Sequence, residues 1–379
     1  MLFVLDESLA ENIDDRKVQQ ALEYIGLGRS EGKHLVFCEK MGIMKTFAEC
    51  EALSQKTRAV YFNIYNKLAS KRAYYNTFVR YMRVVAEGTH SGISWRDVGN
   101  KKEIRISANL IDDSTFIQKT MLLCENETDC RLYEKMARMA VIGRKINISY
   151  EPRGGGGAET GKVYRVLQKG RNRLCLCIAD SDQKYPGGPI GDTARNIRKA
   201  DKPSETLCEL KIIDVREAEN LIPTSMFSEV SEKDQNRMSA VDFLECLEKS
   251  SNGETRKFLD LKEGLNGYRF FGLLSKNQPP DYWQNFFNIV RPFRANIKEE
   301  CIYSQDCSAS DDKRCECFVM QGLGDGILED VLNMLDHARK GKTDRKIAEM
   351  IPDELRDYWE EYGELTAAWC CSGSQISAS

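Results

Sequence analysis

Short apolar runs that end in acidic residues are the clearest pattern along this chain. Residues 121–124 read Met-Leu-Leu-Cys and lead into Glu125, and residues 174–179 read Leu-Cys-Leu-Cys-Ile-Ala and lead into Asp180 and Asp182. Continuous apolar runs of this length are typical of central strands in a parallel sheet. In α/β folds the carboxyl ends of such strands open onto the crevice that holds the ligand. The pattern therefore predicts a parallel sheet with carboxylates at its ligand-binding edge.

The residues around these two runs predict the helices and strands that connect them. Residues 128–140 carry apolar positions at helical spacing, with Thr128 as the expected N-cap, and residues 146–150 predict a further strand. Residues 162–169 predict a second helix, and residues 207–215 predict another strand. This alternation of strands and helices is the signature of an α/β fold.

Three acidic motifs stand in order at the predicted strand ends. They are residues 124–129 (Cys-Glu-Asn-Glu-Thr-Asp), residues 180–182 (Asp-Ser-Asp) and residues 217–220 (Glu-Ala-Glu-Asn). In this order they resemble the Glu-Gly-x-x-Asp, Asp-x-Asp and third acidic motifs of Toprim nucleases of the overcoming-lysogenization-defect type and of related phage-defence effectors. Asn126 stands where that family usually has glycine, and asparagine also tolerates left-handed backbone. The resemblance covers residues 118–225.

The resemblance implies a divalent-metal site at the carboxyl edge of the sheet. It implies two ions, Mg²⁺ or Mn²⁺, because carboxylate oxygens suit either ion and a pair of ions clamps the attacking and leaving oxygens of a phosphodiester. The implied metal ligands are Glu125, Asp129, Asp180, Asp182, Glu217 and Glu219. Taken alone, each acid is equally typical of a helix cap or a solvated rim position. The set favours a metal, since six converging carboxylates repel one another without one.

The resemblance also implies which side chains carry the reaction. Glu125 is the expected general base or metal ligand beside the attacking water, and Asp180 and Asp182 are the expected ligands of the first ion. Residues 260–264 (Asp-Leu-Lys-Glu-Gly) resemble the Asp-x-Lys-x-Gly segment that follows the acidic core in phage-defence Toprim proteins. Lys262 of this segment is the fourth expected catalytic residue, near the scissile phosphate, although a lone lysine is otherwise a solvated side chain.

Length and composition set the domain organisation. The chain has 379 residues, of which 41% are hydrophobic, and this is enough for two or three domains. Residues 116–225 are the expected Toprim catalytic domain. Residues 1–115 are expected to form an α-rich N-terminal region that also contains strands, and residues 226–379 a mostly helical C-terminal domain. The predicted architecture is thus α/β, with a Toprim-like parallel sheet core between two helical regions.

Basic and aromatic side chains alternate over residues 56–85, which predict a long helical stretch. Arginine interleaved with aromatics fits proteins that track a nucleic-acid backbone and stack on its bases. The alternative is an amphipathic helix pair that buries its aromatics and solvates its basic residues. The expected nucleic-acid-binding residues are Arg72, Arg80, Arg83, Lys162 and Arg165.

Fourteen cysteines and three histidines narrow the chemistry further. No apolar run approaches the length of a membrane span and no secretory leader is evident, so we expect a cytoplasmic protein with reduced thiols. Four thiols lie within a short polar stretch and make a structural Zn²⁺ site a hypothesis, with free surface cysteines as the alternative: Cys301, Cys307, Cys315 and Cys317. The scarcity of histidine disfavours HNH-type nucleases and histidine-dependent triads.

The resemblance implies that the chain is a metal-dependent phosphodiester endonuclease and a toxic effector in antiviral defence. Its expected substrate is DNA or RNA, with tRNA as one candidate. The alternatives are a topoisomerase or primase accessory and a non-catalytic nucleic-acid-binding Toprim module. The glycines of residues 154–157 are not followed by the lysine and serine of a P-loop. Many members of the family that the chain resembles carry a nucleotide-hydrolysing domain in the same chain, so the resemblance implies regulation by a separate sensor protein such as an ATPase. No membrane partner is expected, and self-association is left open. The same carboxylates serve DNA and RNA, so the pattern does not choose between them.

Overall fold

The chain folds into helices that alternate with mostly parallel strands, and its fold class is α/β as predicted. A computed structural model describes residues 1–86, 92–203, 205–250, 253–275, 282–290, 315, 317–338 and 344–376. By its internal contacts the chain divides into two compact units. Unit 1 contains Met1–Ala179, Asp192–Ile212 and Asp357–Ser379, and unit 2 contains Asp180–Gly191 and Ile213–Arg356. The three regions expected from the sequence stay a prediction.

The first sheet of unit 1 has five strands in the order β2-β1-β3-β5-β4. Its strands are β1 (Leu2–Leu5), β2 (Leu35–Phe37), β3 (Arg80–Val85), β4 (Ile93–Val98) and β5 (Lys101–Ser107). Neighbouring strands are parallel except β4, which runs antiparallel to β5. The accompanying helices are α1 (Glu7–Glu11), α2 (Arg16–Ser30), α3 (Met41–Glu49) and α4 (Gln55–Tyr75).

The second sheet of unit 1 is wholly parallel and has the order β10-β9-β6-β8. The strands of this part of the chain are β6 (Thr120–Cys124), β7 (Asn147–Ile148), β8 (Tyr150–Gly154), β9 (Cys175–Ala179) and β10 (Cys208–Ile212). The helices between them are α5 (Glu127–Ala140), α6 (Thr160–Gly170) and α7 (Asp192–Ala200). Every residue of β6 and β9 is buried, and these two strands form the centre of the sheet. The apolar runs of the sequence therefore predicted the central strands correctly.

Unit 2 is mostly helical in its described part. Its helices are α8 (Thr224–Ser231), α9 (Gln235–Glu248), α10 (Gly267–Ser275), α11 (Tyr282–Val290), α12 (Ile327–Ala338) and α13 (Asp344–Glu349). Two short strands, β11 (Leu265–Asn266) and β12 (Phe318–Met320), pair in antiparallel fashion. The last helix, α14 (Asp353–Cys370), begins in unit 2 and ends in unit 1. It is followed by β13 (Cys371–Ser372), which pairs with β7.

Two local predictions are wrong. Helix α5 begins at Glu127 with Asn126 as its N-cap, two residues before the expected cap at Thr128. The stretch of residues 56–85 is helical only as far as Tyr75, because residues 80–85 form β3 between β1 and β5. Pairing with two strands that are distant in sequence overrides the local helical pattern here.

No helix in the described ranges combines the length and apolar character needed to cross a membrane.

Candidate functional site

The second and third acidic motifs lie side by side in unit 2. Residue Asp180 follows β9 directly along the chain and is buried. Its Oδ1 accepts a hydrogen bond from the backbone N–H of Ala218 at 3.1 Å, and the N–H of Asp182 donates to the carbonyl of Arg216 at 2.9 Å. The hydroxyl of Ser181 donates to the carbonyl of Val215 at 2.5 Å. Hydrogen bonds thus connect residues 180–182 to residues 215–218.

A tight turn fixes the two glutamates of the third motif. Glu217 precedes a single 3₁₀ turn, Ala218–Leu221, and forms a capping box with Asn220. The Asn220 side chain is buried and donates to the carbonyls of Arg256 and Leu259 at 2.8 and 3.0 Å. Such reciprocal bonds satisfy the polar groups that a helix start leaves open. They hold the backbone of this motif in one conformation although its acidic side chains are buried.

Lys262 brings a positive charge to these buried glutamates. Its Nζ lies 3.3 Å from Oε2 of Glu217 and 3.5 Å from Oε2 of Glu219. Burial lowers the pKa of the Lys262 ammonium, but the carboxylates of Glu219, Glu217 and Asp180 raise it by more, so its pKa lies above the usual lysine value. Lys262 is therefore charged at neutral pH and offsets part of the negative charge of this group. We call Asp180, Glu217, Glu219 and Lys262 the Lys262 cluster.

Arg216 supplies a second cation to the same glutamate. Its Nε donates to Oε1 of Glu217 at 2.9 Å, and its Nη2 donates to Oδ2 of Asp260 at 2.7 Å. Oδ1 of Asp260 accepts from the backbone N–H of Glu263 at 2.8 Å. Sequence reasoning assigned no role to Arg216 or Asp260. The position of Arg216 directly before the third motif could have indicated this role, because a buried carboxylate requires a charged or hydrogen-bonding partner.

Close backbone contact explains the glycine of the Asp-x-Lys-x-Gly segment. Gly264 has a φ of +77°, and a Cβ atom there would lie 2.5 Å from the backbone N of Gly322. A Cβ atom at Gly322 would in turn lie 2.3 Å from the carbonyl oxygen of Lys262. The N–H of Gly324 donates to that same carbonyl at 2.9 Å. The backbone of Lys262 is thus clamped in a place where only glycine fits opposite it.

Asp182 occupies a different position from the other acids of unit 2. Its backbone is left-handed, with a φ of +54°, which is uncommon for a residue other than glycine. Its side chain lies against Gly191, where a Cβ atom would come within 2.1 Å of Oδ2 of Asp182. The carbonyl of Ser181 accepts from the N–H of Gly191 at 2.8 Å. Backbone strain of this kind is found where surrounding contacts hold a functional loop.

The first acidic motif belongs to unit 1. Glu125 follows β6, which lies next to β9 in parallel register, with Leu123 opposite Cys177. The carbonyl of Glu125 accepts from the N–H of Gly156 at 3.1 Å, so the glycine turn after β8 contacts the backbone of this motif. The two strands that carry the first two motifs are adjacent and parallel, as predicted.

Asp129 has a structural role that the sequence prediction did not include. Its Oδ2 accepts from the N–H of Asn126 at 3.1 Å, and its own N–H donates to Oδ1 of Asn126 at 3.0 Å. This capping box starts α5. The signal was present in the sequence as a polar cap residue followed three positions later by an acid. The helix-cap alternative therefore holds for Asp129.

Two of the five expected nucleic-acid-binding residues are internal ion-pair partners. Arg80 donates from Nε to both carboxylate oxygens of Glu209 at 3.0 Å. Arg83 donates to Glu103 at 2.8 Å and to Glu39 at 2.7 Å. Both arginines lie on β3, and their bonds connect it to neighbouring strands and loops of unit 1. The prediction that they lie on a basic helix is wrong, and their observed contacts serve the stability of unit 1.

The other three basic residues are exposed on helices. Arg72 lies near the end of α4, and Lys162 and Arg165 lie on α6. Lys162 forms a surface ion pair with Glu159 at 2.7 Å. Exposed pairs of this type are weak and exchange readily for other anions. These three positions remain compatible with contact to a phosphate backbone.

The donor chemistry of the Lys262 cluster, with three carboxylates, fits a divalent cation. Among the described residues, no three His, Cys, Asp or Glu side chains converge in the arrangement of a metal centre. Oε2 of Glu217 is fully buried and faces Lys262 rather than a hydrogen-bond donor of the protein backbone. Buried carboxylate oxygens of this kind suit Mg²⁺ or Mn²⁺. For the zinc hypothesis, Cys315 is buried and Cys317 is half-buried, whereas Cys301 and Cys307 lie outside the described residues.

No family model, curated protein or solved structure matches the chain.

Proposed function

We propose that this chain is a metal-dependent endonuclease of Toprim type that cleaves phosphodiester bonds in nucleic acid. One observation carries the proposal. Lys262 of the Asp-x-Lys-x-Gly segment contacts both glutamates of the third acidic motif, at 3.3 and 3.5 Å. The sequence resemblance assigns these separate segments to one catalytic site. The wholly parallel sheet that ends in the first two motifs is the architecture that the same resemblance implies.

Asp180, Glu217 and Glu219 are the residues of unit 2 that would hold Mg²⁺ or Mn²⁺. When bound, such an ion lowers the pKa of a water molecule and stabilises the charge that develops on a phosphodiester. The chain's own residues prepare the site. The Ala218 N–H orients Asp180, and Arg216 orients Glu217. These fixed contacts keep the carboxylates in place before the substrate arrives, which is what electrostatic preorganisation requires.

Lys262 is the proposed cationic catalytic residue. An ammonium near the scissile phosphate stabilises the additional negative charge of the transition state. Its clamped backbone carbonyl restricts it to the vicinity of the acids, while its four-carbon side chain remains able to change direction. Glu125 keeps its proposed role as general base or metal ligand on the strength of the sequence resemblance, and the variant Glu125→Gln tests that role separately.

The basic residues proposed to bind the nucleic-acid substrate are all exposed on helices. Arg72, Lys162 and Arg165 are the proposed contacts to the phosphate backbone, and Arg80 and Arg83 are not. The role as a toxic effector in antiviral defence, the control by a separate sensor protein and the cytoplasmic location follow from the resemblance alone. They form part of the same proposal.

A second candidate function is a non-catalytic nucleic-acid-binding module. The observation in its favour is again Lys262, because an ammonium between two buried carboxylates is also a purely structural ion pair. The two candidates differ in what a neutralised Asp180 does. If the chain is a non-catalytic module, there is no cleavage for a neutralised Asp180 to abolish. If it is a nuclease, neutralising Asp180 removes a metal ligand and lowers the cleavage rate.

The deciding experiment compares cleavage of plasmid DNA, single-stranded DNA and total tRNA by the full chain. Each substrate is incubated with Mg²⁺, with Mn²⁺ and with a chelator. We expect cleavage of at least one substrate with metal and none with chelator. Asp180→Asn should lower the rate by about a thousandfold or more, since it removes a charged ligand. The control Asp192→Asn changes an exposed carboxylate on α7 and should leave the rate unchanged.

Two results would overturn the proposal. One is cleavage that persists in chelator, and the other is an Asp180→Asn variant as fast as the parent. The absence of cleavage on all three substrates with both ions would favour the binding module.

A further inference from the structure

We propose that Lys262 and the catalytic metal compete for the same two carboxylates, so that metal binding displaces the Lys262 ammonium from Glu217 and Glu219. This inference rests on the proposed function, because it concerns the same site. It adds that metal binding and phosphate binding are coupled. Lys262 becomes available to a substrate phosphate only when the ion has replaced it beside Glu217 and Glu219.

The distances carry the first step of the argument. Lys262 Nζ lies 3.3 Å from Glu217 and 3.5 Å from Glu219, on the Oε2 atom of each. A divalent ion bound by the same two oxygens would lie about 2.0 to 2.6 Å from each of them. The ion and the ammonium would then occupy overlapping space. They would also repel each other as like charges in a poorly hydrated site.

Exposure indicates which partner moves. The side chains of Glu217 and Glu219 are 8% and 5% exposed, whereas that of Lys262 is 28% exposed. Glu217 is also held from its other side by Arg216 and from its backbone by the capping box with Asn220. Glu217 is therefore held in place, and Lys262 is the most solvent-accessible member of the cluster.

The backbone of Lys262 limits how far the ammonium travels. Gly264 and Gly322 are in close contact, and Gly324 donates to the Lys262 carbonyl. Only rotation about the side-chain bonds of Lys262 can then move Nζ. A lysine side chain has four such bonds and so reaches a new partner without any change of backbone.

A consequence follows for the resting state of the site. Without metal, the ammonium offsets the charge of the buried acids, so that Lys262 is both a counter-ion and unavailable to substrate. With metal, the ion neutralises the buried acids in place of Lys262, and the Lys262 ammonium becomes free to contact a substrate phosphate. The positive charge that faces a phosphate is thus largest in the metal-bound protein.

Metal affinity measured without substrate tests this coupling. Isothermal titration calorimetry with Mn²⁺ alone is carried out on the full-length parent and on Lys262→Met. We expect Lys262→Met to bind Mn²⁺ about tenfold more tightly or better, because a competing cation has been removed. Lys262→Arg keeps the charge and should bind no more tightly than the parent. Lys249→Met removes an exposed lysine of unit 2, paired with Glu245 at 3.6 Å, and should change the affinity less than twofold.

Thermal melting in chelator gives a second readout. Lys262→Met leaves buried carboxylates without their counter-ion and should melt at a lower temperature than the parent. Added Mn²⁺ should raise the melting temperature of this variant by more than it raises that of the parent. If Lys262→Met does not fold without metal, Lys262→Gln replaces it in both measurements, with the same expected direction.

The outcomes separate the inference from the function. If Glu217→Gln and Glu219→Gln weaken Mn²⁺ binding while Lys262→Met leaves it unchanged or weaker, the competition is wrong and the metal site stands. If Lys262→Met binds more tightly but the parent cleaves none of the three nucleic acids, the competition stands and the nuclease proposal fails. If no variant binds Mn²⁺ at millimolar concentration, both are overturned.

Discussion

Glu217 lies between two cations, with Oε1 at 2.9 Å from Arg216 Nε and Oε2 at 3.3 Å from Lys262 Nζ. Each carboxylate oxygen thus faces a different positive charge. Arg216 is itself fixed by Asp260, two residues before Lys262 in the chain. The two cations and two of their partners form a connected network in which one change affects several contacts.

Replacing Arg216 tests this network. Arg216→Met removes the guanidinium shared by the buried carboxylate of Glu217 and the half-buried carboxylate of Asp260. We expect it to lower the free energy of unfolding by about 2 kcal/mol, because each carboxylate loses its nearest charged hydrogen-bond donor and retains a more distant cation, Lys262 for Glu217 and Arg269 for Asp260. Chemical denaturation of the full chain measures the change. The control is Arg237→Met, whose pair with Asp330 at 2.7 Å is more exposed and should cost about 1 kcal/mol or less. Equal losses in the two variants would contradict a special role for Arg216.

Replacing Gly264 tests the backbone clamp beneath Lys262. Gly264→Ala adds a Cβ atom at a φ of +77°, within 2.5 Å of the Gly322 backbone. We expect a loss of at least about 2 kcal/mol of stability together with loss of cleavage. Gly272→Ala is the matched control, since it lies in α10 and, outside the helix's own backbone, no atom of the described residues lies within 4 Å of the added Cβ. That change should be neutral or stabilising by up to about 1 kcal/mol, as alanine favours helix. A Gly264→Ala variant with parent stability and activity would show that the clamp is unnecessary.

The buried carboxylate of Glu103 predicts an acid-dependent stability. Burial raises its pKa, but hydrogen bonds from Arg83, Arg96 and Tyr81 lower it by more, so the folded-state pKa lies below the usual glutamate value. A lowered folded-state pKa gives stabilisation that is complete above the unfolded-state pKa, about 4.3, and is lost as the pH falls below it.

Urea unfolding between pH 7 and pH 3 checks this prediction. The difference in unfolding free energy between the parent and Glu103→Gln should be large at pH 7 and shrink in acid. A difference that is constant across this range would contradict it. Glu254→Gln, which changes an exposed partner of Lys257, should show little difference at any pH.

Arg72 and Arg80 should respond in opposite ways to charge reversal. Arg72→Glu changes an exposed residue of α4 and should weaken nucleic-acid binding in a salt-dependent manner without lowering the melting temperature. Arg80→Glu places a like charge against Glu209 and should destabilise unit 1 instead. Affinity at several salt concentrations and thermal melting distinguish the two effects. Unchanged affinity of Arg72→Glu at low salt would assign that face to solvent or to a protein partner.

The sequence was informative where a local pattern determines the structure. The buried strands β6 and β9 followed from continuous apolar runs, since only a central strand buries both of its faces. The acidic pattern groups Asp129 with the other carboxylates as a metal ligand, whereas its capping partner Asn126 stands three residues before it in the sequence. Here the shorter-range interaction explains the observed geometry.

The parts of the site that the sequence did not predict depend on contacts between distant segments. Lys262 reaches Glu217 because its backbone is held against residues 320–324, and no local pattern indicates that contact. The ion pair of Arg80 with Glu209 joins the two sheets of unit 1 in the same way. Basic residues that look exposed in the sequence become internal when a remote acid faces them.

Unit 1 is built from three separate segments of the chain, and this has a consequence for the order in which the protein is completed on the ribosome. Strand β13 pairs with β7, and Thr120 donates to the carbonyl of Trp369 at 2.6 Å, so residues near 370 close a unit whose other strands are made much earlier. All six carboxylates and Lys262 are synthesised before these closing residues. A nascent chain therefore carries every proposed catalytic side chain while the unit that holds β6 and β9 still lacks its final strand.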